Sequence, residues 1–209
     1  AGFIQANTAT ASSEFNSSSF DGRAVNTING SGLPLSFDET SPHADYASGN
    51  HWTTASGTAP LDASILWGFT TAQDLYGMYI WNHLSTAPPA SNGGYEPILV
   101  DLILRDSSNN HIFSLINFAL SPDTNMAQTV DFGGQITNVS TVELQVLQTQ
   151  SSSSFTGLAE VGFETEALPS ITVATPGPLA LLFLLGAGHV IARTIQRQKV
   201  DSVAFKFTT

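Results

Sequence analysis

The chain has 209 residues, of which 42% are hydrophobic, 11% are charged and none is cysteine. This length and apolar content suit one domain of about 150–170 residues with an appended segment. The lack of cysteine excludes disulfides, thiolate metal sites and thiol nucleophiles. Residues 1–167 contain 16 acidic residues but only two basic ones, Arg23 and Arg105, for a net charge of −14. Such a surface repels phosphate, so we expect no nucleic-acid partner.

Residues 1–167 are rich in Ser, Thr, Asn and Gly, with short apolar runs between clusters of turn-forming residues. This pattern of short apolar runs and turn-forming clusters predicts an all-β domain. Eight strands are predicted, at residues 3–9, 65–69, 77–81, 97–104, 111–118, 127–131, 141–148 and 158–164. Eight short strands favour a β-sandwich.

Two of these strands differ in their apolar pattern. In residues 142–148 apolar side chains alternate with glutamate and glutamine, which predicts a strand that covers a core on one face only. Residues 98–104 are more continuously apolar, which predicts a central strand buried against both neighbours. Asp101 within that run would need a partner or an edge position.

A long loop is predicted at residues 30–50, and it contains Asp38, Glu39, His43 and Asp45. A long loop on a rigid sandwich is either a binding surface or a variable connection without function, and the sequence leaves both open.

No motif supports catalysis. The five histidines do not form a two-histidine metal spacing, and neither a nucleophile elbow nor a phosphate-binding glycine loop is present. The neighbouring acids Asp38 and Glu39, or Glu164 and Glu166, do not meet the need of a glycosidase for carboxyls that face each other across a cleft. We therefore predict that the protein is not an enzyme.

The aromatic residues divide into two groups. Trp67 and Trp81 lie within predicted strands, which favours packing in the core. Other aromatic rings lie in predicted loops, where they could form a stacking platform for a sugar. The candidates for this ligand surface are Tyr46, His51, Trp52 and Tyr95.

The C-terminal part is unlike the rest of the chain. Between Glu166 and Arg193 there is no charged residue for 26 positions, and residues 179–192 form its apolar centre. Proline at 176 and 178 suits a helix entry. A helix over residues 178–195 would span about 27 Å, close to the roughly 30 Å hydrocarbon core of a bilayer, with the basic side chains reaching the interface.

We therefore predict a linker at residues 168–177, a transmembrane helix at 178–195 and a basic cytoplasmic tail at 196–209, with residues 1–170 outside. A buried core helix is the alternative reading. No signal-peptide pattern precedes the domain, so we expect that any export signal has been removed or was not included.

The order of proline motif, apolar helix and basic cluster over residues 175–199 resembles the PEP-CTERM sorting signal of exported bacterial proteins. That resemblance implies recognition by an exosortase, a membrane protease that removes the tail and passes the protein to the cell surface or matrix. The family's Pro-Glu-Pro is here Pro176, Gly177 and Pro178, followed by the basic residues Arg193 and Arg197.

The first 167 residues also resemble discoidin-like (coagulation factor type C) galactose-binding domains. The segments that carry this resemblance are ATASS at 9–13, AVNTING at 24–30, HWTT at 51–54, YIWN at 79–82 and GLAEVGFE at 157–164. The resemblance implies an eight-stranded jelly roll with adjacent first and last strands. It further implies a structural calcium, matched here by Asn29 and Glu160. The alternative is a plain tight turn at Asn29 and a solvated edge charge at Glu160.

Two functions follow as expectations. The first is a carbohydrate-binding or exopolysaccharide-binding module of a bacterial cell envelope, displayed outside the cytoplasmic membrane. The second is a structural subunit of a surface layer, filament or biofilm matrix without a small ligand.

Overall fold

The computed structural model describes residues 2–55, 63–83, 94–122, 124–151 and 154–166. These residues form ten strands and one 3-10 helix at Ala24–Thr27. The strands are β1 Phe3–Ile4, β2 Thr8–Ala11, β3 Phe15–Asn16, β4 Asp21–Gly22, β5 Trp52–Thr53, β6 Ser64–Asn82, β7 Pro97–Arg105, β8 His111–Ala119, β9 Gln128–Thr149 and β10 Gly157–Glu164.

Eight strands form one antiparallel sheet. Six of them follow the order β1-β10-β6-β9-β7-β8, and the other two lie beside this path, with β2 paired to β6 and β5 paired to β10. Strands β3 and β4 form a separate pair. Phe3 lies opposite Glu164 and Ile4 opposite Phe163, so the first and last strands are adjacent, as the resemblance implied.

Strands β6 and β9 are much longer than the sequence predicts. Strand β6 joins the predicted strands 65–69 and 77–81, and β9 joins 127–131 and 141–148. The two pair at both ends, with Trp67 opposite Val142 and Met78 opposite Val130, and the register shifts between them. The polar residues between the apolar runs therefore belong to the same continuous strand, where the pairing is irregular. Strands can stay hydrogen-bonded there because backbone pairing does not require apolar side chains.

The core is made by alternate side chains of the long strands. Val142, Leu144 and Val146 are fully buried, while Glu143 and Gln145 are half-buried on the other face, which confirms the predicted alternation.

Trp67 and Trp81 are also fully buried, as predicted. The indole Nε1 of Trp67 donates to Oγ1 of Thr27 at 2.8 Å, and that of Trp81 donates to the carbonyl of Ser41 at 2.8 Å. Burial of the polar ring atoms is thus matched by hydrogen bonds.

Strand β7 corrects one prediction and confirms another. It lies between β9 and β8, but its residues alternate in burial, with Val100, Leu102 and Leu104 fully buried and the residues between them half-buried. Continuous burial is therefore wrong, because only one face of this strand covers the core. Asp101 has the partner it needs, since its Oδ1 accepts the backbone N–H of Asn117 at 2.7 Å.

Among the described residues, none lies in a helix long and apolar enough to cross a membrane. The predicted transmembrane helix at 178–195, together with Pro176, Gly177, Pro178, Arg193 and Arg197, lies outside the described residues.

Candidate functional site

One end of the sheet brings together the end of β6 and the starts of β7 and β10. The Asn82 amide Nδ2 donates to the carbonyl of Pro97 at 2.9 Å, joining β6 to β7. Thr156 is fully buried, and its Oγ1 donates to the carbonyl of Tyr95 at 3.0 Å. Gly157 lies opposite Thr53, so β5 closes the same end. We call this region the loop end.

Five half-buried aromatic residues form a chain of ring contacts at the loop end, and His83 closes this chain into a circuit. Neighbouring ring centroids are 5.0 to 6.5 Å apart, and the circuit is completed by His83, whose ring is 4.7 Å from Tyr46 and 5.7 Å from Tyr95. We call these rings the aromatic circuit: Phe15, Phe20, Tyr46, Tyr95 and Phe155. Each of the five residues keeps part of its surface in solvent, and together they supply apolar rings and two phenolic hydroxyls; we call this surface the platform.

Three histidines lie beneath this platform and form the histidine cluster. His43, His51 and His83 are exposed by 4%, 0% and 1%. The His51 ring centroid is 4.9 Å from that of His43 and 5.0 Å from that of His83. Nδ1 of His43 contacts the carbonyl of Ala44 at 2.7 Å, and Nδ1 of His51 contacts Oδ1 of Asn50 at 2.5 Å. Since both partners are acceptors, each Nδ1 carries the proton and donates.

Several ring nitrogens of the histidine cluster are buried without a hydrogen-bond partner: Nε2 of His43, Nε2 of His51, and both nitrogens of His83. Burial lowers the pKa of all three side chains, that of His83 to about 3. The cluster is therefore neutral at neutral pH. Within the described ranges, no group of three or more histidine or acidic side chains is placed to hold a metal ion.

The structure brings together three of the four predicted ligand residues. Tyr46 contacts His51 at a centroid distance of 5.3 Å, and both Tyr46 and Tyr95 contact His83. His51 lies beneath the platform and does not face solvent. The role of Tyr46, His51 and Tyr95 in binding stays a prediction.

The expected exposure of Trp52 is wrong. Its side chain is 0% exposed in the core, and its Nε1 donates to the carbonyl of Ser13 at 2.9 Å. The ring therefore presents no face to a ligand. Strand β5 is only two residues long, so it has no alternation that would have marked Trp52 as a core residue.

Sequence reasoning missed the two phenylalanines of the β3–β4 hairpin, Phe155 and His83 as site residues. Phe15 and Phe20 flank a serine-rich turn, and nothing in the local sequence connects that turn with Tyr95. His43 was noted in the long loop, but its contact with His51 arises from the fold of that loop. The only local signal was the density of aromatic residues outside the predicted strands.

The residues predicted to hold calcium do not fit that ion as they are arranged. The Glu160 carboxyl is fully buried and accepts hydrogen bonds from Nε2 of Gln5 at 2.7 Å and the backbone N–H of Gly30 at 3.1 Å. Oδ1 of Asn29 accepts the N–H of Ser31 at 2.7 Å. A cation would have to approach oxygens that already accept N–H groups.

Burial also raises the pKa of Glu160 to about 8, which favours its neutral form. Glu160 is therefore a buried, hydrogen-bonded carboxyl that links β10 to the N-terminal segment, and the alternative of a solvated edge charge is wrong.

Comparison with known proteins shows similarity in structure alone. No family model and no curated protein matches the sequence. A Streptococcus pneumoniae fucose-binding module is similar over 78% of this chain and 93% of its own, with a TM-score of 0.52 and 17% identity. The family 32 CBM of Clostridium perfringens NanJ, solved with galactose, is similar over 75% of this chain and 91% of its own, with a TM-score of 0.50 and 18% identity.

An F5/8 type C domain from Bacteroides fragilis is also similar, covering 77% of this chain and 92% of its own, with a TM-score of 0.51 and 14% identity. At these identities the likeness concerns the fold. The described residues thus have an all-β, galactose-binding-like fold, which confirms the predicted class, but they form ten strands where the sequence predicts eight.

Proposed function

We propose that the sandwich is a carbohydrate-binding module that holds an uncharged saccharide on the aromatic circuit. The observation that carries this proposal is the chain of five half-buried rings at the loop end, which the buried His83 ring closes into a circuit. The C–H face of a sugar ring is apolar and packs on aromatic faces, while its hydroxyls need a few placed donors and acceptors.

The polar groups near the circuit meet that second need. The phenolic hydroxyls of Tyr46 and Tyr95 can donate and accept, and the half-exposure of both side chains leaves them in reach of a ligand. The histidine cluster fixes the rings from below without adding charge. The site therefore combines apolar area with neutral hydrogen-bonding groups.

The charge of the domain supports an uncharged ligand. Arg23, next to the β3–β4 hairpin, is held by Asp21 through two hydrogen bonds of 2.9 and 2.7 Å. No other lysine or arginine among residues 1–167 is near the loop end, since Arg105 lies at the far end of β7. A uronic or sialic acid at the loop end would meet a net negative domain, with the only nearby guanidinium, that of Arg23, already held by Asp21.

Similar structures support the proposal at the level of fold. They include a fucose-binding module, modules solved with galactose or Lewis B antigen, and one solved with 4,5-unsaturated mannuronic acid, so the fold alone does not decide the charge of the ligand. The same sandwich supports many functions, so the aromatic circuit, which belongs to this chain, is the stronger argument.

A glycan array probed with the full chain tests the proposal. We expect signals on uncharged glycans, and we expect Tyr95→Ala to reduce them about tenfold or more, since aromatic anchors carry a large share of binding energy. Tyr76→Ala is the matched control, because Tyr76 is a half-buried tyrosine within β6. A blank array, together with assembly that grows with protein concentration, would instead favour the structural-subunit alternative.

We further propose that the module is displayed outside a bacterial cytoplasmic membrane, held by residues 178–195 and sorted by an exosortase. The support is the uncharged run before Arg193 and the proline motif at Pro176 and Pro178. Fractionation of cells producing the chain with and without residues 169–209, with mass measurement, tests this. Equal soluble recovery of both forms would contradict retention by the membrane.

A further inference from the structure

A cleft of about 450 Å³ lies on the outer face of the sheet, away from the aromatic circuit. Strand β7 runs between the two regions: Tyr95 precedes its first residue, and Arg105, which lines the cleft, is its last. Pro97 and Arg105 are eight residue steps apart, or about 26 Å at 3.3 Å per residue, while Ser12, which also lines the cleft, lies three residues before Phe15 of the circuit. None of the residues that line the cleft belongs to the aromatic circuit, and its volume is large enough for a small ligand.

Strand pairing builds this cleft across four strands. Thr10 of β2 lies opposite Leu66 of β6, and Leu66 lies opposite Glu143 of β9. Thr141, two residues before Glu143, lies opposite Arg105 of β7. Because side chains alternate along a strand, these residues share the outer face while their sequence neighbours fill the core. The cleft is thus set by the rigid sheet.

The chemistry of the cleft combines hydroxyls, an amide, two apolar side chains and one pair of opposite charges. Thr10, Ser64 and Thr141 supply hydroxyls, and Leu66, 37% exposed, supplies apolar surface. A sugar ring presents the same mixture of hydroxyls and C–H groups. The lining therefore complements a polyhydroxylated ligand.

Arg105 gives the cleft strong donors without a net charge. Its guanidinium is 3.8 Å from the Glu143 carboxylate, and the two side chains are 28% and 21% exposed. This is a loose ion pair, whereas Arg23 is held in a fork by Asp21 at 2.7 and 2.9 Å. Arg105 can thus donate to a ligand hydroxyl while Glu143 accepts from a neighbouring one.

We propose that this cleft is a second saccharide site, which binds an uncharged sugar unit through Arg105, Glu143 and the hydroxyls around them. The proposal concerns a different surface from the aromatic circuit and does not depend on it. If both sites bind, one polysaccharide chain can engage the module twice, and its affinity for long chains exceeds that for single units.

Shift mapping of the ¹⁵N-labelled full chain, titrated separately with galactose, fucose, lactose and cellobiose, tests the second site. With at least one of these sugars we expect saturable shifts at the amides of Leu66, Thr141 and Glu143. The double variant Arg105→Gln with Glu143→Gln keeps size and hydrogen-bonding capacity but removes both charges. We expect it to raise the Kd read from the cleft amides by about tenfold.

A second variant, Ser64→Trp, fills the cleft and leaves both charged residues in place, and it should abolish the same shifts. Thr137→Ala, on an exposed position of β9 outside the cleft, is the control and should leave them unchanged. Thermal unfolding of each variant shows that it is folded.

Absence of cleft shifts with all four sugars, or cleft shifts that survive in Ser64→Trp, would overturn the second site. Shifts at the cleft but none around Tyr46 and Tyr95 would instead overturn the proposed aromatic site. The two proposals therefore fail separately.

Discussion

Glu160 shows how one residue can link distant segments without exposure to solvent. Its carboxyl in β10 accepts the side chain N–H of Gln5 and the backbone N–H of Gly30, which lie 155 and 130 residues away in the chain. Desolvation raises its pKa from 4.5 to about 8. The family resemblance implied that Glu160 lies near the turn at Asn29 and Gly30. It did not predict the burial of the carboxyl, because burial is decided by strands that lie far apart in the chain.

This raised pKa predicts a loss of stability on the alkaline side. A carboxyl with a folded pKa above its unfolded one stabilises the fold fully below pH 4.5, and this contribution is lost as the pH rises through about 8. We expect Glu160→Gln to show a smaller fall in Tm between about pH 5 and pH 8, because the proton-linked loss lies between the unfolded and the folded pKa. Glu143→Gln, on the half-buried outer face, is the control and should behave like the parent. An unchanged slope in Glu160→Gln would contradict this assignment.

His83 predicts the opposite dependence. Burial lowers its pKa from 6.5 to about 3, so the folded state favours the neutral ring. That stability is complete above pH 6.5 and is lost as the pH falls toward about 3. We expect His83→Phe, which keeps a flat ring of similar shape, to lose less Tm between pH 6.5 and 4 than the parent.

The matched control for that change is His111→Phe, because His111 is exposed on β8. If both variants lose as much Tm between pH 6.5 and 4 as the parent chain, His83 is not the cause of the loss of stability in acid.

At the scale of elements, β6 and β9 determine the shape of the domain. Each pairs with different neighbours along its length: the start of β6 pairs with β2 and its end with β10. The apolar runs at 65–69 and 77–81 were visible in the sequence, but the strand that joins them was not, since residues 70–76 lack a clear alternation. Local periodicity reports side-chain burial, and hydrogen bonding between strands can continue without it.

Gly77 tests the close approach of these two strands. A Cβ at this position would lie 2.5 Å from the backbone carbonyl oxygen of Val130 on β9. We expect Gly77→Ala to lower the free energy of unfolding in urea by about 1–3 kcal/mol, the usual cost of overpacking. Gly68→Ala is the comparison, since its Cβ would meet the Thr8 hydroxyl, which is exposed and can rotate away. An equal loss of unfolding free energy in both variants would contradict the close approach of β6 and β9 at Gly77.

At the scale of the whole molecule, the sequence was most informative about class and charge. The sequence pattern and the spacing of the predicted strands indicated an all-β sandwich. The resemblance carried by the short motifs implied adjacent terminal strands, which β1 and β10 form. The site was only partly predictable. Tyr46 and Tyr95 were identified as loop aromatics, but the closed circuit depends on hairpin and loop contacts that no local pattern records.

The net charge of −14 over residues 1–167 predicts selectivity against acidic glycans. We expect lactose to bind more tightly than its sialylated counterpart, because no free cation at the loop end offsets repulsion of the carboxylate. Higher salt should narrow the difference, since screening weakens repulsion between exposed charges. Tighter binding of the sialylated sugar would contradict this view of the site.

The central claim is that the aromatic circuit binds an uncharged saccharide, and calorimetric titration tests it most directly. The full chain and the variants Tyr46→Ala, Tyr95→Ala and Tyr76→Ala are titrated with galactose, fucose and lactose. We predict saturable binding of at least one sugar by the parent and by Tyr76→Ala, and its loss in the Tyr46 and Tyr95 variants. Absence of binding to all three sugars, or equal binding by all four proteins, would contradict the account.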